Sequence, residues 1–322
     1  MSVLVGLIVM LGMLVVVPAG LRLVDGPQPA TLRLLRRAWP LLAVPGAVSL
    51  WLPRSPLAVA LAGCYALATL ALALHAPARL ALTRSLAPAE IAVLTALATP
   101  SVAGLALVAE RAGHELFGFE LDILALTVPH FHFAGFAAAL VAGLVCRTAE
   151  SRATRFAALS VPLGTLLVLV GYFVDDWAEL AGAVVLTAGM WSVALAVWRE
   201  PRTTAPDRVT RALLGTSAAV LVATMLLALS WALGEATGIP HPNLTWMAAT
   251  HGLGNALGFA LCSLLAWHRL RAGATATPAA GAPAVGTPAL DPPHAGSSPD
   301  VTPPTAASTV TTVTDHRTEL PA

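Results

Sequence analysis

The chain has 322 residues, of which 57% are hydrophobic and only 11% are charged, and its formal net charge is +1. Its mean hydropathy is +0.77, whereas a soluble domain carries roughly 45–50% apolar and about 25% charged residues. These values exclude an ordinary soluble protein, a disordered chain and a nucleic-acid-binding protein, since a polyanion requires a basic surface. They predict a protein of the all-α class, a polytopic bundle of membrane helices.

Nine apolar stretches follow one another, and most reach the roughly 20 residues that a helix needs to cross a bilayer. They lie at 2–21, 38–52, 56–75, 88–109, 123–146, 156–174, 179–198, 211–233 and 245–267. The second stretch is short and contains Pro40, Pro45 and Gly46, so we expect it to be kinked or to span only in part. Because lipid offers no partner to backbone amides and carbonyls, all nine are predicted to be helices.

The arginines predict how the bundle is oriented. Fifteen of them lie in alternate loops, whereas the other set of loops contains only Arg54 and Arg111. The positive-inside rule then places the N-terminus outside and the C-terminus inside, in a multi-pass protein of the cell membrane. The predicted organisation is a membrane bundle at 1–271 and a tail at 272–322. The tail is rich in Ala, Thr, Pro, Ser and Gly and is expected to be a disordered cytoplasmic extension.

Four polar residues stand inside two of the predicted spans. His130 and His132 belong to the fifth span, and His251 and Asn255 to the ninth. At 1.5 Å per residue, His130 and His251 would lie about 10 Å below the outer surface, and the other two about 15 Å. Intramembrane ionisable groups are costly and usually functional, so we expect these residues to line one cavity in the outer half of the membrane. The alternative is that the histidines only hold helices together.

The two helices constrain which of these side chains face the same way. His251 and Asn255 are four residues apart and share one helix face. His130 and His132 are two residues apart and cannot both face one partner, so the sequence leaves open which of them lines the cavity.

Two adjacent aspartates, Asp175 and Asp176, lie at the outer end of the sixth span. One of them is expected to lean toward the histidines, where apolar surroundings would keep a carboxyl protonated and able to act as an acid. The alternative is that both are solvated caps. Other outer acids, such as Glu115 and Glu235, are expected to be solvated and to matter little. The three cysteines stand singly and form no metal-binding pattern.

Two sequence elements resemble a known family. They are H-F-H-F-A-G-F at His130–Phe136 and H-G-L-G-N-A-L-G-F at His251–Phe259. The pair is similar to the H-F-H-x-A-G-F and H-G-x-x-N-A-x-G-F elements of the YndJ-like family of bacterial membrane proteins. The resemblance covers the fifth to ninth spans, and the four polar residues of the two spans match its motif positions. It implies an integral membrane protein, often labelled a transporter by name only, and no secure catalytic role.

Three functions are considered for these residues. A transporter needs a polar path, but the inner halves of the spans are nearly pure Ala, Leu and Val. A haem or metal protein could use the histidines as ligands, but a third ligand of similar depth is lacking unless an aspartate supplies it. A membrane enzyme needs only the outer-half pocket. There a carboxylic acid could protonate an alkene or an epoxide, and aromatic faces could stabilise the cation.

The predicted function is therefore acid/base catalysis on a lipophilic substrate of terpenoid or other isoprenoid type, for example by a cyclase or an isomerase. Transport of the YndJ-like type and haem or metal binding stay as alternatives, and the cofactor question stays open. The expected partners are the lipid bilayer and a lipophilic small molecule, without nucleic acid. The predicted catalytic residues are His130, His132, Asp175, Asp176, His251 and Asn255.

Overall fold

The computed structural model describes residues 2–276, and within them it contains helices and no β-strand. Nine long helices occur there. They are α1 (Val3–Leu21), α2 (Ala30–Ser49), α3 (Pro56–Thr83), α4 (Pro88–Ala112), α5 (Leu121–Thr148), α6 (Arg152–Gly171), α7 (Asp176–Arg199), α8 (Arg208–Thr237) and α9 (Leu244–Gly273). The predicted all-α class is confirmed for this part of the chain. The predicted tail, 272–322, lies outside the described residues except for its first five, which continue α9 as far as Ala276.

All of these helices except α2 are long and apolar enough to cross a membrane, as expected for a multi-pass membrane protein. α2 differs because Arg33, Arg36 and Arg37 occupy its first two turns. It is a continuous helix of 20 residues and begins at Ala30, eight residues before the apolar stretch predicted at 38–52. The count of nine membrane spans, their orientation and the cell membrane stay predictions.

Polar side chains fix where the helices begin. Six of the nine start with a side chain that accepts a hydrogen bond from a backbone N–H of the first turn, which is the usual N-cap. These residues are Ser2, Ser55, Ser151, Asp175, Asp207 and Asn243. α4 and α8 end at Gly113 and Gly238, whose φ angles of 65° and 74° suit glycine. Short loops can therefore join consecutive helices.

Glycines bring α6 and α7 into close contact. A Cβ atom added to Gly164 would lie 2.5 Å from backbone atoms of Leu186, and one added to Gly182 would lie 2.5 Å from the backbone N of Val168. Gly171, at the end of α6, similarly faces the backbone of Glu179. Small residues at such crossings allow two helix backbones to approach closely. This packing holds the first turn of α7 against the end of α6.

Three helices contain π-helical segments, in which the turn is wider than in an α-helix. They lie at Gly12–Val16 in α1, at Phe131–Ala137 in α5, and at Ala248–Gly252 and Gly254–Leu261 in α9. The segments of α1, α5 and α9 contact one another inside the bundle. Wide turns of this kind occur frequently at functional sites.

The loops define two ends of the bundle. The acidic end is formed by residues 113–120, 172–175 and 238–243, and the arginine end by residues 22–29, 84–87, 149–151 and 200–207. At the acidic end, the fully buried Glu110 accepts a hydrogen bond from Arg54 at 2.9 Å and also pairs with Arg111. Arg111 in turn donates to the carbonyl oxygens of Ser49 and Leu52, both at 3.2 Å. These contacts attach the α2–α3 connection to α4. The two arginines also compensate the buried negative charge of Glu110.

Candidate functional site

A cavity of about 210 Å³ lies inside the bundle among α1, α5, α6, α7, α8 and α9. Its wall is mostly apolar and includes Phe133, Leu186, Met190, Met225 and Phe259. The volume is many times what a single buried water needs, so the cavity can hold part of an organic molecule. An apolar pocket with a few polar groups is the usual form of a small-molecule site.

Five polar side chains reach the wall of this cavity. His130 comes from α5, Glu179 from α7, His251 and Asn255 from α9, and Tyr172 directly follows α6. The structure thus brings three sequence-predicted residues, His130, His251 and Asn255, to one cavity, on two helices whose π-helical segments are in contact. We call it the histidine cavity. The chemical role of these residues stays a prediction.

His251 and Asn255 are held in one hydrogen-bonded network with Thr224 of α8. His251 Nδ1 lies 2.8 Å from the carbonyl oxygen of Thr224 and therefore carries the proton. His251 Nε2 then accepts from the Asn255 amide at 3.1 Å, and the Thr224 hydroxyl donates to Asn255 Oδ1 at 2.8 Å. Both nitrogens of His251 are engaged, whereas the Asn255 amide keeps a second N–H. His251 thus fixes how the amide is oriented.

Glycines allow this network to form. Cβ atoms added to Gly254 and Gly258 would lie 2.8 Å and 2.7 Å from side-chain atoms of Thr224 and Val220. The small-residue face of α9 therefore packs against α8, and the sequence alone does not identify this partner helix.

His130 lines the cavity, and one of its imidazole nitrogens has no partner. Its Nε2 atom is buried and has no hydrogen-bond partner, and His251 lines the same cavity. Its ring meets that of Phe131 edge-on, with 5.4 Å between centroids. A buried polar atom without a partner costs free energy, so a molecule in the cavity that supplied one would be stabilised there.

His132 does not line the cavity. It is fully buried, and its Nε2 lies 2.5 Å from the hydroxyl of Tyr65 on α3. On the other side, Gly12 of α1 packs so closely that a Cβ there would lie 2.5 Å from His132 Nδ1. Trp39 meets the Tyr65 ring edge-on and donates to the carbonyl oxygen of Met13 at 2.9 Å. The sequence left open which of His130 and His132 lines the cavity. In the structure, His130 lines it and His132 does not.

Glu179 supplies the carboxylate of the cavity, although it is not among the site residues predicted from the sequence. Its side chain is buried, and the Tyr172 hydroxyl faces it. The signal was in the sequence. Glu179, Ala183, Leu186 and Met190 recur at helical spacing along α7, and all four line the cavity. A carboxylate that continues an inward-facing apolar stripe is a stronger candidate than one that caps the helix.

A second cavity of about 320 Å³ adjoins the first at the acidic end. Tyr172, Glu179, Trp231 and Leu244 line both cavities. The remaining wall of the second includes Asp175, Asp176 and Glu235. We call it the acidic vestibule. It lies beside the histidine cavity, on the side of the exposed Asp175 and Asp176.

Asp175 and Asp176 are exposed and lie in the vestibule, not beside the histidines. Asp175 caps α7, where it accepts a hydrogen bond from the backbone N–H of Ala178 at 2.7 Å. Glu235, expected to be a plain solvated acid, bonds His241 Nε2 at 2.6 Å and lines the vestibule. The hydrogen bond of His241 to the carbonyl oxygen of Ile239, and then the Glu235 carboxylate, raise the pKa of His241 above its ordinary value.

The donor set of the site does not suit a metal ion. Within residues 2–276, no three His, Cys, Asp or Glu side chains come together in a way that could hold one. A haem ligand pair would need free nitrogens on both His130 and His251, and those of His251 are engaged. The haem or metal alternative therefore gains no support from these residues.

A family model described as YndJ-like protein matches residues 7–259, more than three quarters of the chain. This confirms the resemblance that the two motifs indicate. The matched range includes His130, Glu179, His251 and Asn255, and it ends at Phe259 on the cavity wall. No curated protein and no solved structure matches the chain.

Proposed function

The chain belongs to the YndJ-like family, and we propose that it is a membrane enzyme performing acid/base chemistry on a lipophilic substrate of isoprenoid type. The reaction would be an isomerisation or a cyclisation. The observation that carries the proposal is the pairing of two groups on one apolar wall. His130, which has an imidazole nitrogen without a partner, and Glu179, whose carboxyl is buried, both line the cavity.

The proposed reaction starts and ends with a proton transfer. Glu179 donates a proton to a carbon–carbon double bond, and the resulting carbocation lies among the faces of Phe133, Trp231 and Phe259. A rearrangement or ring closure follows. The imidazole of His130 then removes a proton from a carbon next to the cation, and a new double bond forms. One proton is added and one is lost, so substrate and product are isomers.

Two features support assigning the acid to Glu179 and the base to His130. Glu179 lines the vestibule as well as the histidine cavity, so it can be reprotonated from the acidic end. His130 lies deeper in the bundle than Glu179 and lines the cavity together with His251. There it would face the substrate carbon that loses a proton. Asn255, held by His251 and Thr224, is a positioning residue whose second N–H can bind a polar group of the substrate.

Transport is the second candidate, and the acidic vestibule is the observation that favours it. A transported molecule must also leave toward the arginine end. The residues lining the histidine cavity include no Arg and no Asp, and Glu179 is the one carboxylate among them. A polar exit path is therefore not supported, and the enzyme comes first.

The test compares membrane lipids from cells in which the chromosomal copy is replaced by variants. Glu179→Gln and His130→Leu should abolish conversion of one isoprenoid-type lipid into an isomer of equal mass but different chromatographic retention. The matched controls are Glu115→Gln and His114→Leu, both exposed at the acidic end, and these should convert it as the unaltered protein does. Identical lipid profiles in all five strains would contradict the proposal.

A further inference from the structure

A cluster of charged residues lies at the arginine end, and none of its members lines the histidine cavity. Arg79 of α3 is almost fully buried and pairs with Glu90 of α4, which also pairs with Arg147 at 3.0 Å. Arg271 of α9 pairs with Asp25 at 2.5 Å, in the loop between α1 and α2. Arg79 also donates to the carbonyl oxygen of Asp25 at 2.8 Å, so these contacts tie together five segments: α3, α4, α5, α9 and the α1–α2 loop.

Arg36 of α2 belongs to the same cluster but differs from its neighbours. The charge of Arg36 interacts with those of Arg79, Arg271 and Asp25. Its Nε and Nη2 atoms are buried, and neither has a hydrogen-bond partner. The Asp25 carboxylate is taken by Arg271, and the Glu90 carboxylate by Arg79 and Arg147. A buried guanidinium edge without acceptors is expensive, because guanidinium groups remain charged.

The two unpartnered atoms lie on the same edge of the guanidinium. The N–H groups of Nε and Nη2 point in the same direction, which is the fork that binds two oxygens of one carboxylate or phosphate group. The surrounding charge favours an anion. Among residues 2–276, this cluster has four arginines, Arg36, Arg79, Arg147 and Arg271, and two carboxylates, Asp25 and Glu90, so the described part carries two more positive than negative charges.

We propose that Arg36 forms a phosphate-binding site, and that the phosphate belongs either to a phospholipid headgroup or to free phosphate. Arg36 lies six residues into α2, about 9 Å along the helix from Ala30, a depth that a headgroup can reach. Arg33 and Arg37, on the same helix, are exposed and are not part of the proposed site. The site is separate from the histidine cavity and does not depend on the function proposed for it.

The experiment uses the full chain purified in detergent, with bound lipid measured by native mass spectrometry and stability by thermal melting. Phosphatidylglycerol should bind the unaltered protein and the control variant Arg37→Gln equally, and Arg36→Gln about tenfold more weakly. Arg37 matches Arg36 in residue type and helix, but it is exposed. A phosphate-free galactolipid should bind the three proteins alike.

Inorganic phosphate alone distinguishes the two sources. If phosphate raises the melting temperature in an Arg36-dependent manner and phosphatidylglycerol does not bind there, the ligand is free phosphate and the site stands. Equal binding of phosphatidylglycerol and of phosphate to the unaltered and Arg36→Gln proteins would overturn the proposal. Should Arg36→Gln fail to fold, Arg36→Lys serves instead, because lysine keeps the charge but loses the fork. Unchanged binding by Arg36→Lys would likewise overturn the site.

Discussion

His130 and His132 are two residues apart, and replacing each with leucine should have opposite consequences. In His130→Leu, the lost atoms include a buried Nε2 that bonds to nothing. The free energy of unfolding should therefore change by no more than about 0.5 kcal/mol, or rise slightly as an unsatisfied group is removed. Catalysis should fall by at least about 100-fold, the lower end of what a general base contributes.

In His132→Leu, the hydroxyl of Tyr65 loses its partner at 2.5 Å. Tyr65 is fully buried, so water cannot replace the imidazole. Leaving such a hydroxyl unsatisfied costs about 1–3 kcal/mol, more than the average of about 0.6 kcal/mol for interhelical hydrogen bonds in membranes. Removing the buried and unpartnered Nδ1 of His132 offsets part of this cost. At about 2–4 °C per kcal/mol, the melting temperature should fall by several degrees. Activity per folded molecule should be kept.

The assay is thermal melting in detergent together with lipid conversion in membranes. The double variant Tyr65→Phe with His132→Leu provides a control, since removing both partners should cost less than the sum of the two single changes. The reasoning is refuted if His130→Leu unfolds the protein while His132→Leu leaves its stability unchanged. It is also refuted if the two tyrosine and histidine changes are strictly additive.

Three further predictions concern packing, pH and topology. Gly164→Ala should cost about 1–3 kcal/mol in thermal melting, because its Cβ would lie 2.5 Å from a helix backbone. Gly63→Ala, with nothing within 4 Å, should be neutral or stabilising. Because the pKa of His241 is raised in the folded protein, its contribution to stability should be complete below about pH 6.5 and disappear as pH rises through the raised pKa. The melting-temperature difference between the unaltered protein and His241→Asn should therefore shrink toward alkaline pH, and a constant difference would contradict this. In a cysteine-free background, a cysteine at Ala178 should react with an impermeant reagent added outside intact cells, whereas one at Thr204 should not.

The helices can be predicted from the sequence, because hydrophobicity and the backbone's need for hydrogen bonds determine where they form. Eight of the predicted stretches coincide with helices able to span a membrane. Hydropathy does not predict where α2 starts, because the helix extends beyond its apolar part to include Arg33, Arg36 and Arg37. Helix formation and apolar composition are separate properties, and the pattern measures only the second.

The candidate site was predictable only in part. The family motifs mark His130, His251 and Asn255, and these do share a cavity. Spacing alone could not decide between His130 and His132, because the π-helical segment that starts at Phe131 changes how side chains are distributed around α5. The bond of His132 to Tyr65 joins residues 67 positions apart, which no local pattern encodes. Glu179 was within reach, since it continues the apolar stripe of α7.

The most direct test of the proposed chemistry is deuterium incorporation. Isolated membranes containing the unaltered protein, Glu179→Gln or His130→Leu are incubated in D₂O, and the isoprenoid lipids are analysed by mass spectrometry. Because the proton added to the double bond comes from the solvent by way of Glu179, the product formed by the unaltered protein should carry one carbon-bound deuterium. Neither variant should form it. If the unaltered protein produces no carbon-deuterated lipid, or if the variants produce as much of it, acid/base catalysis in the histidine cavity is contradicted.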